Sequence, residues 1–208
     1  ETKKTGEGIA FAIYAYSEYY KATREEKAKA AAVKLYNCIQ QHSYDPLHGG
    51  YLEAFTRNWK PLADQRLSSK DANEKKTVNT HLHILEAYTN LYAIWPEITL
   101  KKNLLDLLTV FYDKIIDKRN GHLHLFFTEQ WQVKGHTVSY GHDIEASWLL
   151  LEAATAVKDA EMVRRFRALA LKMANATVEG LDRDGGLWYE YEPAQRHTVA
   201  EKHWWPQA

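Results

Sequence analysis

The chain has 208 residues, 45% of them hydrophobic, which suffices for a sizeable core in one domain or in a piece of a larger one and argues against disorder. Lys plus Arg equals Asp plus Glu at 27 each, so there is no basic surface of the kind that nucleic acid or an anionic membrane selects, and neither is expected as a partner. Cys38 is the single cysteine, which excludes an intrachain disulfide and agrees with a reducing, cytoplasmic compartment.

No apolar run approaches the roughly 18 residues of a membrane span. The opening "ETKKTGEG" lacks the apolar core of a signal peptide. With no initiator methionine at its start, the chain is expected to have lost a leader or an upstream segment. Seven Trp, thirteen Tyr and ten His are many for a helical protein. Most aromatics fill cores, but a carbohydrate cleft also uses them, because sugar C–H faces pack on rings while hydroxyls bond polar neighbours.

In chain order, the apolar period predicts helices in pairs. Residues 8–22, "GIAFAIYAYSEYYKA", and 24–42, "REEKAKAAAVKLYNCIQQH", form the first pair, the second helix with a solvated outer face. "YDPLHGGYLEAF" then interrupts with Pro and Gly punctuation. Residues 77–94 and 97–117 form the second pair, jointed at Pro96, and "KRNGHLHLFFTEQW" follows as a β-like alternation. The third pair runs through "HDIEASWLLLEAATAVK" and "AEMVRRFRALALKMANATVEGL", in which RRFR reads as surface, and ends at the glycine-marked "DRDGGLWYEYE".

The interruptions at 45–53, 117–125 and 182–190 each carry an Asp, a Gly turn and alternating apolar residues, about 65 to 72 residues apart. That spacing predicts tandem αα-hairpins sharing one core, an all-α chain. A second repeat, HxxEA, occurs at His83–Ala87 and His142–Ala146 and is expected at equivalent places of two units. The next unit would begin at the closing "EKHWWPQA", so the chain looks cut within a repeat. A ring of such hairpins makes an α/α-barrel whose inner helix tips surround a cleft.

His142 and Glu145 lie one turn apart with Trp148 nearby, and Asn79, His83 and Glu86 form one stripe; both sets are expected to face that cleft. Polar groups on an inner helix are costly unless they satisfy one another or a ligand. The helix dipole favours a neutral His142, while Asp143 and Glu145 pull the other way. A neutral imidazole over a sugar carbon is a suitable general base for a proton α to a carbonyl.

"KKTVNTHLHILEAYTNLY", "SYGHDIEASWLLLEAA", "GGYLEAFTRNW" and "KHWWPQA" resemble the cellobiose 2-epimerase branch of the N-acylglucosamine 2-epimerase superfamily over nearly the whole chain. The resemblance implies an (α/α)6 barrel, with residues 1–208 as the central part of a single domain lacking both ends. It implies conversion of the reducing-end glucose of β-1,4-linked disaccharides to mannose, without metal or nucleotide cofactor, by a monomer or weak homodimer. His142, His83 and Glu145 would be catalytic; Asn79, Asp71, Trp148 and Trp205 would bind the disaccharide. The family's second catalytic His lies beyond residue 208 and its substrate-binding Arg before residue 1, so this segment alone is expected to be inactive. Where the family has a YGQAF-like phrase, this chain reads "EGIAF" with Glu7, a departure that bears on specificity.

Other activities on the same residues are an N-acylglucosamine 2-epimerase, an aldose–ketose isomerase, a non-catalytic sugar binder, or a glycoside hydrolase using Asp71 and Glu145. An HD-type metal phosphohydrolase would take His142 and Asp143 as its dyad, with His81, His83, His122 and His124 as further ligands.

Overall fold

A computed structural model describes residues 3–207; Ala208, within the last quoted phrase, lies outside the described residues. Three units follow one plan. A two-residue strand (β1 Lys4–Thr5, β3 Lys76–Thr77, β6 Val138–Ser139) leads into an inner helix: α1 Gly6–Thr23, α3 Val78–Ile94 or α5 Tyr140–Ala156. An outer helix returns: α2 Glu26–His42, α4 Ile98–Val110 or α6 Ala160–Thr177. The outer helix of the second unit continues as a π-helical turn over Phe111–Ile115, inside the stretch expected to be regular helix.

After each outer helix the chain makes the expected glycine turn and pairs back. The turns close with the Gly49 and Asp45, Gly121 and Asp117, and Gly185 and Asp182 backbones hydrogen bonded. Bridges Tyr44–Tyr51, Ile116–Leu123 and Leu181–Leu187 flank them. The chain then runs antiparallel to the strand that opened the unit: β2 Ala54–Phe55 against β1, β4 Phe126–Phe127 against β3, and β7 Glu190–Glu192 against β6. Further strands β5 Val133–Lys134 and β8 His197–Val199 extend the last two sheets. A fourth unit opens with α7 Trp204–Gln207.

Burial separates inner from outer helices. In α3, packed between α1 and α5 with α4 behind, eleven residues are buried around its whole girth, seven of them apolar and the polar Thr80, His81, Thr89 and Asn90 all hydrogen bonded. In α2 only Ala28, Ala32, Tyr36 and Ile39 are buried, one face at helical spacing. The core joins both layers through residues such as Ile13, Leu85, Leu104, Phe111 and Leu150.

Each new inner helix is tied to the preceding turn by one polar side chain. Tyr51 N donates to His81 Nε2 at 2.9 Å, Leu123 N to Asp143 Oδ1 at 2.9 Å, and Leu187 N to Gln207 Oε1 at 2.7 Å. Asp143 also accepts from His122 Nδ1 at 2.7 Å. The first turn has a further pin: the buried Lys76 ammonium donates to Asp45 Oδ2 and to the Gly49 and Glu129 carbonyls, each at 2.7 Å, above the Trp131 ring. Asp45, His48 and Glu129 form a group of metal-ligand type, but its Asp45 carboxylate already holds that ammonium. Among the described residues no buried side-chain polar atom lacks a partner.

These ties correct the repeat register read from HxxEA. Strand, helix start and tie all align His81 with Asp143, so His83 is equivalent to Glu145, and His142 to Thr80. The two HxxEA phrases occupy different structural positions.

Candidate functional site

The inner helix tips and the strands that leave the turns enclose a cavity of about 1120 Å³. Its wall includes every residue assigned from sequence to catalysis or disaccharide binding, Asp71, Asn79, His83, His142, Glu145, Trp148 and Trp205, and none of His81, His122, His124 and Asp143. In the structural register the wall is a set of equivalent stripes. Glu7 and Phe11 come from α1, Asn79, His83 and Glu86 from α3, and Gly141, Glu145 and Trp148 from α5.

His142 sits at the first turn of α5, half-buried. Its Nδ1 lies 2.8 Å from Ser139 Oγ and its Nε2 lies 3.2 Å from Asn79 Oδ1, the donor in each pair being set by the tautomer. Trp205 packs beside the imidazole with ring centroids 5.0 Å apart. The indole rests on Gly141, where a Cβ would overlap its ring, so glycine there makes room for the aromatic wall. Burial, and then the positive charge of His83, push the His142 pKa down to about 4. At neutral pH this imidazole is uncharged and basic.

His83 is tuned the other way. Burial alone would lower its pKa, but Glu86, Glu145 and Glu7 outweigh burial and raise it. Its Nδ1 donates to Glu86 Oε2 at 3.3 Å, its Nε2 lies 4.0 Å from Glu7 Oε1, and Phe11 packs at 4.5 Å between centroids. Glu145 is raised by burial against the pull of His83, with Glu86 and Glu7 adding repulsion. One cavity therefore holds two imidazoles whose pKa values are pushed apart, an arrangement suited to acid and base work.

Asp71 is fixed by its own loop, its Oδ2 accepting from Ser68 N at 2.6 Å. Trp148 is 55% exposed on the cavity side, an open aromatic face. Asp143 turns away: it is fully buried against His122 and Leu123, and its neighbour His142 points into the cavity. The HD dyad is thus split between two environments. His81 is also committed, with Nδ1 donating to the Thr77 carbonyl at 2.7 Å and Nε2 accepting from Tyr51.

Sequence reading missed several wall residues. Glu53, Leu125 and Tyr189 follow the three turns at matching places and all line the cavity. Alternation after a glycine turn was the available signal. Glu53 accepts from Thr77 Oγ1 and from Thr80 Oγ1, and burial lifts its pKa to about 7 against those two bonds. Glu190 is likewise raised to about 7, by burial and by Glu192.

Comparison with known proteins agrees with this architecture. The profile of N-acylglucosamine 2-epimerase (GlcNAc 2-epimerase) matches residues 1–208. A cellobiose 2-epimerase of Bacteroides fragilis is 51% identical over 208 residues, all of this chain and 53% of the relative. A second, of Dictyoglomus turgidum, is 34% identical over 97% of this chain and 51% of the relative. The solved cellobiose 2-epimerase of Bacillus thermoamylovorans superposes with TM-score 0.92 at 35% identity, covering 98% of this chain and 52% of that one. The chain spans about half the length of the curated relatives it matches, and its three hairpins are part of an (α/α)6 barrel. No described helix is long and apolar enough to cross a membrane. By its full-length profile match and its hairpin repeat, the chain belongs to the N-acylglucosamine 2-epimerase family.

Proposed function

We propose that residues 1–208 are the central part of a barrel domain that epimerises the reducing-end sugar of β-1,4-linked disaccharides such as cellobiose and lactose at C2, interconverting glucose and mannose. One observation carries this reading: His142 and His83 line one cavity with their pKa values moved in opposite directions, the first lowered by burial and the second raised by its carboxylate neighbours.

In this reading His83 donates a proton to the ring oxygen while the O1 hydroxyl gives its own to the Glu145 carboxylate, the C1–O5 bond breaks, and the open aldehyde results. His142 Nε2 then takes the C2 proton, and the C–H electron pair moves into a C1–C2 double bond to give a cis-enediolate. Asn79 contacts O1 and O2, while Trp205 and Trp148 offer faces for the sugar rings. A proton returned to the opposite face of C2 completes inversion; its donor in the family lies beyond residue 208. The similarity to proteins named cellobiose 2-epimerase supports the disaccharide over a free N-acyl sugar.

The test is the protein at its full natural length with cellobiose in deuterium oxide. Glucosyl-mannose carrying deuterium at C2 is expected, and His142→Gln removes that label. Cleavage of the glycosidic bond with C2 unlabelled would overturn the assignment in favour of a hydrolase.

A further inference from the structure

The three inner helices begin alike, with a short strand ending in a hydroxyl residue at the cap position: Thr5, Thr77 and Ser139. Two of them cap as such residues do. Thr5 Oγ1 accepts from Gly8 N and Thr77 Oγ1 from Thr80 N, each at 3.1 Å. Ser139 has the same extended backbone, φ −110° and ψ 103°, yet makes no capping bond. Its hydroxyl is instead 2.8 Å from Nδ1 of His142, the residue equivalent to Gly8 and Thr80. Ser139 is 1% exposed, and its backbone is fixed opposite Glu190 in the β6–β7 ladder.

From this departure we infer that Ser139 is a positioning residue for His142: its hydroxyl, withdrawn from the helix cap, holds Nδ1 so that Nε2 faces the cavity as the proton acceptor. The inference rests on the reading of His142 as the base. A neutral imidazole carries one proton, and a hydroxyl can serve either tautomer. With the proton on Nε2, which donates to Asn79, the Ser139 hydroxyl donates to bare Nδ1. With the proton on Nδ1, Ser139 accepts it and the Nε2 lone pair is free for the C2 proton of the sugar. After transfer the imidazolium still donates Nδ1–H to Ser139, so the group that orients the base also stabilises its charged product. Threonines committed to a cap could not do this.

The test compares Ser139→Ala, Ser139→Cys and Ser139→Thr with the parent at full natural length. Ser139→Ala is expected to lower kcat for C2 exchange by about tenfold or more, the scale of a general base losing its alignment. KM should change little, and the acid limb of the kcat profile should move. Ser139→Thr restores the rate, Ser139→Cys falls between, and the melting temperature stays put because no cap bond is lost. Unchanged kcat and pH profile in Ser139→Ala and Ser139→Cys would overturn the inference, with the base assignment still standing on His142→Gln. A drop in melting temperature matching that of Thr77→Ala, with no movement of the pH profile, would also overturn it by showing an ordinary cap. If His142→Gln retains C2 exchange, the inference falls together with the reading beneath it.

Discussion

His81 offers a stability measurement whose sign and size follow from its surroundings. The ring is fully buried beside Tyr51 and Trp131, with Nδ1–H given to the Thr77 carbonyl and Nε2 accepting from Tyr51 N. Protonating it would set a second N–H against the Tyr51 donor, and burial, the larger cause, lowers its pKa to about 4. An unfolded histidine titrates near 6.5, so between the two values the unfolded chain binds more protons and stability rises with pH. The contribution is full above the unfolded pKa and is lost as pH falls toward the folded one. The shift corresponds to about 3 kcal/mol in total, of which about 2 kcal/mol disappears between pH 7 and pH 5. Urea unfolding followed by tryptophan fluorescence at those two pH values should show this loss in the parent protein. His81→Gln, which keeps an acceptor but cannot titrate, should show about 2 kcal/mol less of it. The comparison cancels other titrating groups such as Glu53. An equal loss in parent and variant would refute the argument that burial holds His81 neutral.

Two further outcomes follow from the packing. Lys76→Met should destabilise by about 3–5 kcal/mol in urea unfolding, because it strips the ammonium from buried Asp45 and leaves the Gly49 and Glu129 carbonyls without their donor. Gly141→Ala places a methyl inside the Trp205 ring, and displacing the indole at about 1–3 kcal/mol should weaken cellobiose binding roughly tenfold or more, read from tryptophan quenching.

The helices and turns were legible because each is specified locally. Apolar residues at helical spacing, Pro96 at a joint, and Gly49, Gly121 and Gly185 at positive φ carry their meaning within a few residues. The site residues were legible for a related reason: Asn79, His83 and Glu145 break an otherwise apolar inner helix, and such a break needs a cavity. What stayed hidden depends on partners far along the chain. Nothing near Lys76 announces that it will be buried on Asp45, and the tie from Asp143 to Leu123 gives a carboxylate beside His142 a role outside the cavity. Capping by a hydroxyl residue is a local pattern, and the bond that replaces it at Ser139 is visible only once the side chains of three equivalent helix starts are compared.

The register correction bears on how such a cleft arises. Had the two HxxEA phrases been equivalent, His83 and His142 would share one environment and one pKa direction. Instead His83 is equivalent to Glu145 and Phe11, so one position of the repeat presents an imidazole, a carboxylate and an aromatic ring, and the carboxylate helps raise the imidazole's pKa. His142 occupies the place of Thr80 and Gly8, at the mouth of its helix, where Ser139 and Asn79 reach it and Trp205 covers it. A symmetric scaffold thus yields an asymmetric pair because its units have diverged at matching positions. The opposite pKa directions are a consequence of that divergence, and exchanging Phe11, His83 and Glu145 among the units would abolish the pair while leaving the helical framework intact.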